Sequence, residues 1–149
     1  MKIQEVIDRI LAYHPSLEER EETTVDRVQC GDTMQEVTGI VTTCCPSVDV
    51  IRKAIELKAN LIVPHEPLFY NHQGQTDFLQ GDPVFEEKMA LLKEHNIVVF
   101  RDHDHIHRHR PDGIRYGVLQ ELGWTDYCTA DLMAKERQRI IIHLPEKRP

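Results

Sequence analysis

Asn60-Leu61-Ile62-Val63-Pro64-His65-Glu66-Pro67-Leu68-Phe69 reads as an apolar strand that stops at a proline and then sets a histidine and a glutamate side by side. A run without alternating polar positions describes a strand covered on both faces, as in a parallel sheet flanked by helices. Pro64 and Pro67 end the ladder by removing donors. Ligands of open α/β sheets bind beyond the carboxyl ends of the strands, so His65 and Glu66 stand where a site is expected. A second apolar run ends in a comparable cluster, Val98-Val99-Phe100-Arg101-Asp102-His103-Asp104-His105-Ile106-His107-Arg108-His109. The reading that follows is that these two strand ends meet.

Working outward, the segment between the clusters is a helix with Pro83 near its first turn, Asp82 or Gly81 at its start and a stripe of Phe85, Met89, Leu91 and Leu92; Asn96 ends it. Tyr70 to Asp82 is a polar loop long enough to lie over a site. Upstream, Ser47 caps a helix whose apolar face is Val48, Ile51, Ala54, Ile55 and Leu57. Before it, Val37 to Thr43 is a strand ending in Cys44-Cys45-Pro46. Strand, short helix and strand without a hairpin turn form a βαβ crossover, which implies parallel pairing. Ile3, Val6, Ile7, Ile10 and Leu11 predict an amphipathic helix over 2–13, and Ser16 to Asp26 a polar surface loop or short helix before the turn at Gly31-Asp32. Beyond the second cluster, His103 to Pro111 is a loop, Gly113 to Leu122 a helix closed by Gly123, and Arg137 to Leu144 a last strand. The fold class expected is α/β, a two-layer or three-layer sandwich with a mainly parallel sheet flanked by helices. The metal site falls at the carboxyl ends of the strands, and residues 1–149 form a single domain.

The 149 residues carry a formal charge of −7 without a basic helix face, which disfavours a nucleic-acid partner. At this length a chain buries roughly two thirds of its unfolded surface and needs no staples. The N-terminal segment is amphipathic, and no window approaches the roughly 18 apolar residues of a membrane span. A cytoplasmic protein without a membrane partner is expected. Cys30, Cys44, Cys45 and Cys128 show no CxxC spacing, so reduced, packed thiols are the plain reading. Cys44 and Cys45 also end a strand on the edge that carries His65, which places thiolates near a metal as a sharper alternative.

Nine histidines, four of them at alternate positions 103, 105, 107 and 109, are the least random feature of the chain. In an extended segment, alternate residues point the same way and aim several imidazoles at one point. Histidine with carboxylate is a ligand set for zinc, iron, manganese or nickel. Two or three such ligands plus open water positions describe a catalytic site, because a divalent ion lowers the pKa of its bound water toward 7. The competing readings are a histidine-rich surface loop that titrates near neutral pH, and a His65-Glu66 pair held by backbone hydrogen bonds. Asp102 and Asp104 read as carboxylates that orient histidines. His14, His72, His95 and His143 lie alone and read as structural.

The succession Gly31-Asp32, Val37-Thr38-Gly39-Ile40, Val50-Ile51-Arg52-Lys53-Ala54-Ile55 and Ala59 to Phe69 resembles the Nif-three-like dinuclear-metal family, some of whose members carry the name GTP cyclohydrolase 1 type 2. The resemblance spans residues 28 to 124. In that family two adjacent histidines precede the proline, and a later strand end carries a histidine with an aspartate four residues on. Here the second histidine is replaced by Glu66, and the later pair falls on His103 and His107. The resemblance therefore implies His65, Glu66, His103 and His107 as metal ligands for one or two divalent ions (zinc, iron or manganese), with Glu66 or His103 as acid/base. Family members are roughly twice as long, on expectations of about 100 to 200 residues per domain, and add a histidine and a glutamate from a C-terminal helix. No such motif is read after Gly123, so this chain holds one metal, or another subunit or a missing segment completes the site. The resemblance also implies a ring-shaped homo-oligomer.

Two functions follow. One is a metal-dependent hydrolase of the cyclohydrolase kind, acting on a small nucleotide-like molecule. The alternative is a non-catalytic metal-binding scaffold or regulatory protein. A redox role for Cys44 and Cys45 is a weaker third reading, since adjacent cysteines are badly placed to bridge each other.

Overall fold

Alternation along two neighbouring strands divides the core in two. The computed structural model describes residues 1–69, 71–128 and 131–133, with two compact units, residues 1–105 and 106–149. In the first unit, strands β1 (Val28–Cys30), β2 (Ile40–Thr43), β3 (Leu61–Pro64) and β4 (Val98–Phe100) form one sheet in the order β1-β4-β3-β2. β2, β3 and β4 are parallel, with Ile40 opposite Leu61 and Leu61 opposite Val98. β1 runs antiparallel to β4.

Because side chains alternate along a strand, Leu61, Val63, Val98 and Phe100 pack with Ile3 and Ile7 of helix α1 (Ile3–Tyr13). Ile62 and Val99 point the other way. They pack with Ile51 and Ala54 of α2 (Val48–Glu56) and Leu92 of α3 (Pro83–Glu94). The result is three layers, helix on sheet on helices, and it explains why β3 and β4 show no polar position.

The helix boundaries follow local chemistry. The Ser47 side chain accepts from the amide of Val50 at the start of α2. Asp82 accepts from Val84 and Phe85, with Pro83 in the first turn of α3. Gly31 has φ +92°, and a Cβ there would lie 2.8 Å from the Ile97 carbonyl oxygen, so only glycine passes beside the start of β4.

Three expectations are corrected. The strand expected over Val37–Thr43 pairs only from Ile40, because Thr38 is held instead by the Asn60 side chain and the Lys58 carbonyl. Leu57, placed on the apolar face of α2, is 58% exposed beyond the last turn. The short helix allowed within Ser16 to Asp26 forms as a 3-10 helix over Glu18–Thr23, but the segment is not all at the surface, since Leu17, Val25 and Asp26 are buried. β1 had no apolar run to announce it.

The second unit holds a 3-10 turn (Ile106–Arg108), helix α4 (Gly113–Glu121) and a 3-10 turn (Thr125–Tyr127). Gly123, at φ +65°, ends α4. Its amide and that of Trp124 reach back to Gln120 and Leu119, the pattern of a Schellman cap. The strand expected over Arg137–Leu144 lies outside the described residues. Among the described residues no helix is long and apolar enough to cross a membrane.

Ile62 is fully buried between the layers, whereas Ile40 on the edge strand is 49% exposed. In urea unfolding, Ile62→Ala is expected to cost about 2–5 kcal/mol and Ile40→Ala under about 1 kcal/mol.

Candidate metal centre

The carboxyl end of β3 is fixed before any side chain acts. The amides of His65 and Glu66 donate to the carbonyls of Thr43 and Cys44, and that of Asp102 donates to Pro64. Ladder bonds thus continue past the strands and hold His65, Glu66 and Asp102 at one edge.

Arg101 clamps this edge from within. It is buried, and its guanidinium donates to the carbonyl of His65 at 3.1 Å and to that of His72 at 2.8 Å. Its Nη2 also lies 3.3 Å from His72 Nδ1 and 3.8 Å from the Glu66 carboxylate. A planar fork with several donors suits this convergence of acceptors, where a lysine ammonium would not.

The loop after β4 is shaped by Asp26, whose side chain is fully buried. Oδ1 accepts the amides of His103 at 2.7 Å and Asp104 at 2.8 Å. Oδ2 accepts the amide of His105 at 2.8 Å and pairs with its Nδ1 at 2.7 Å. Asp104 answers in the opposite direction. Its Oδ2 accepts from the Thr24 hydroxyl and the Val25 amide, both at 3.1 Å, while Oδ1 meets His103 Nδ1 at 3.0 Å. Burial pushes the Asp104 carboxyl up, but these hydrogen bonds outweigh it and hold the group below its ordinary value.

Within this frame His65 and His103 come together. Their rings stack with centroids 4.4 Å apart, and each can turn a ring nitrogen to within 4.8 Å of the other's. A proton held on His103 Nδ1 by Asp104 leaves Nε2 as the lone-pair atom, the arrangement in which a carboxylate orients a metal-ligating histidine. Glu66 is half-exposed beside Arg101.

In the second unit, His107 lies on the turn Ile106–Arg108, and its Nδ1 pairs with Asp112 Oδ2 at 2.8 Å. The other oxygen of Asp112 caps α4 by accepting from Ile114 and Arg115. One carboxylate therefore starts a helix and orients a histidine. Its pKa is raised by burial but lowered more by the Arg115 amide, His107 and the Arg115 charge, and it falls below the ordinary value.

The reading of the alternate histidines as one aimed row is overturned. The segment is not extended, since Asp26 wraps the backbone of residues 103–105 and a 3-10 turn follows. His105 is buried against Asp26, and its ring lies 5.8 Å from that of His14. His14 and His72, read as structural, both stand near the site. His14 Nε2 lies 3.1 Å from Asp102, and His72 meets the His103 ring edge-on at 5.3 Å. Burial raises the Asp102 pKa, and His14 opposes the rise. The length of the loop over 70–82 was the one sequence signal for His72. Nothing local marks His14 or Asp26.

Glu66 and His72 border a cleft of about 880 Å³, whose other walls include Cys45, Phe69, Phe85 and Lys88. The two phenyl rings lie 4.7 Å apart, and Lys88 Nζ stands 5.3 Å from the Phe69 ring while donating to the Leu68 carbonyl. Burial pulls the Lys88 pKa down. A largely apolar cleft of this size with a few polar groups suits a small molecule.

Comparison with known proteins follows the same lines. The family model described as DUF34/NIF3 (NGG1p interacting factor 3) matches residues 1–148. A protein named GTP cyclohydrolase 1 type 2 homolog from Clostridium acetobutylicum is 26% identical over 110 residues, which is 74% of this chain and 38% of that protein. The chain thus spans under half the length of this relative. The fold is similar to that of a Bacillus cereus protein related to NIF3, with TM-score 0.69, 19% identity and coverage of 85% of this chain and 33% of that one. It is also similar to reduced HcgD from Methanocaldococcus jannaschii, with TM-score 0.65, 22% identity and coverage of 85% and 48%.

Asp26→Ala leaves three amides without their acceptor, that of His105 buried. It is expected to destabilise the protein by about 3 kcal/mol or more. Hydrogen exchange checks this: amides 103–105 should lose protection, while that of Ile62 at mid-sheet falls only with global stability.

Proposed function

Since the chain belongs to the DUF34/NIF3 family, we propose that it binds a divalent metal ion (zinc, iron or manganese) and acts as a metal-dependent hydrolase on a small nucleotide-like molecule. The observation that carries this reading is the His65–His103 stack with Asp104 on His103 Nδ1.

The donor chemistry fits the group. Two imidazoles share one place, their nitrogens within 4.8 Å, and histidine nitrogens are ordinary ligands of zinc, iron and manganese. His103 and His107 each have a carboxylate on Nδ1, Asp104 and Asp112 respectively. In this proposal His65 and His103 hold the ion and Glu66 offers an oxygen. When bound, the ion supplies Lewis-acid activation of water.

The remaining work falls to the chain. Asp104 keeps the His103 proton on Nδ1. Arg101 fixes the backbone of His65 and His72 and offsets the Glu66 charge. Glu66, facing the cleft, is placed to exchange a proton with substrate. Phe69 and Phe85 give a flat ring an apolar wall. The names of the curated relatives support water addition at a purine-like ring, and a homo-oligomer belongs to the same proposal.

One observation favours the scaffold or regulatory alternative: the Glu66 carboxylate has Arg101 as a charge partner at 3.8 Å, which competes with ligation. Turnover separates the two readings.

Protein purified without chelator is expected to hold zinc, iron or manganese by elemental analysis, and His65→Ala or His103→Ala to reduce the content severalfold or more. Asp104→Asn should weaken metal affinity about 10–100-fold. Metal-dependent hydrolysis in a nucleotide screen, lost in His65→Ala, supports the enzyme. Metal binding without turnover leaves the scaffold, and protein unable to take up any of the three ions removes both.

A further inference from the structure

Cys44 and Cys45 follow β2 directly and are both exposed. Their backbones are fixed. The Cys44 carbonyl accepts the Glu66 amide at 2.8 Å, and the Cys45 carbonyl accepts the Ser47 amide at 2.9 Å and the Thr43 hydroxyl at 3.2 Å. The two sulfurs lie 3.9 Å apart, the Cys45 thiol donating to Cys44.

That distance discriminates between two chemistries. A disulfide brings sulfurs to about 2.05 Å and prefers Cα atoms about 4.4–6.8 Å apart, whereas adjacent residues across a trans peptide are held at about 3.8 Å. Bridging this pair is therefore strained. Two thiolates on one tetrahedral ion at about 2.3 Å stand roughly 3.8 Å apart, which is the spacing already present. The surroundings favour a cation as well: the Glu66 carboxylate is near enough to push the Cys44 thiol up, after burial and the Cys45 contact.

We infer that Cys44 and Cys45 form a second cation site on the carboxyl edge of the sheet, specific for soft, thiophilic ions such as zinc, cadmium or copper(I). The Glu66 carboxylate is its nearest acidic neighbour. Its donors are sulfur, so its preference differs from that of the imidazoles of His65 and His103. Binding replaces the thiol protons and releases them to solvent, so affinity rises with pH. The inference stands without the histidine site.

Cadmium tests it, because thiolate ligation gives an ultraviolet sulfur-to-metal charge-transfer band that imidazole ligation does not. Anaerobic protein, reduced with a phosphine, is titrated with cadmium. The expected result is a band that saturates at one equivalent per chain and persists in His65→Ala, Cys30→Ser and Cys128→Ser. Cys44→Ser and Cys45→Ser should each abolish it or weaken apparent affinity at least tenfold, with circular dichroism unchanged as both side chains are exposed. Absence of the band at stoichiometric cadmium, or its survival in both single variants, overturns the inference.

Discussion

Two aspartates each accept backbone amides from the other's segment across the site. Asp26 gathers the amides of residues 103–105, and Asp104 accepts the Val25 amide and the Thr24 hydroxyl. Charge-assisted hydrogen bonds contribute about 1.5–3 kcal/mol each, and the set offsets the cost of burying the Asp26 carboxylate. Without this clasp, nothing in the local sequence Asp102-His103-Asp104-His105 selects one backbone path. With it, His103 turns to His65 and His105 turns inward.

The sheet supplies the other constraint. Parallel pairing of β2, β3 and β4 delivers three chain exits to one edge, and the chemistry of the chain gathers there: thiols after β2, His65 and Glu66 after β3, the aspartate–histidine loop after β4. Arg101 joins the last two by bonding backbone carbonyls, so the positions of His65 and His72 rest on the main chain more than on side-chain packing. Glu66 stands between the Arg101 guanidinium, 3.8 Å away, and the Cys44 thiol, which burial, the Cys45 contact and this carboxylate's charge push up.

Much of the frame was legible along the chain. The all-apolar runs Leu61-Ile62-Val63 and Val98-Val99-Phe100 announced buried parallel strands, and Ser47, Asp82-Pro83 and Gly123 marked helix ends by their own local chemistry. The two strand ends were read as meeting, and His65 and His103 do stack there, with Asp104 on His103 Nδ1. The extended row of histidines was misread because alternation along a chain is evidence only when the backbone is extended, and a carboxylate far away in sequence decides that it is not.

The sequence by itself determined the α/β class, the parallel pairing of β2 and β3 through their helical crossover and the edge at which donors collect, because these depend on patterns within a dozen residues. Only the tertiary structure decided which donors act together. Asp26 lies 77 to 79 residues from the amides it binds, and His14 lies 88 residues from Asp102. Side chains such as Asp26, His14 and Arg101 carry no periodic or capping signal. Their value arises when folding brings a buried charge to donors that water can no longer reach.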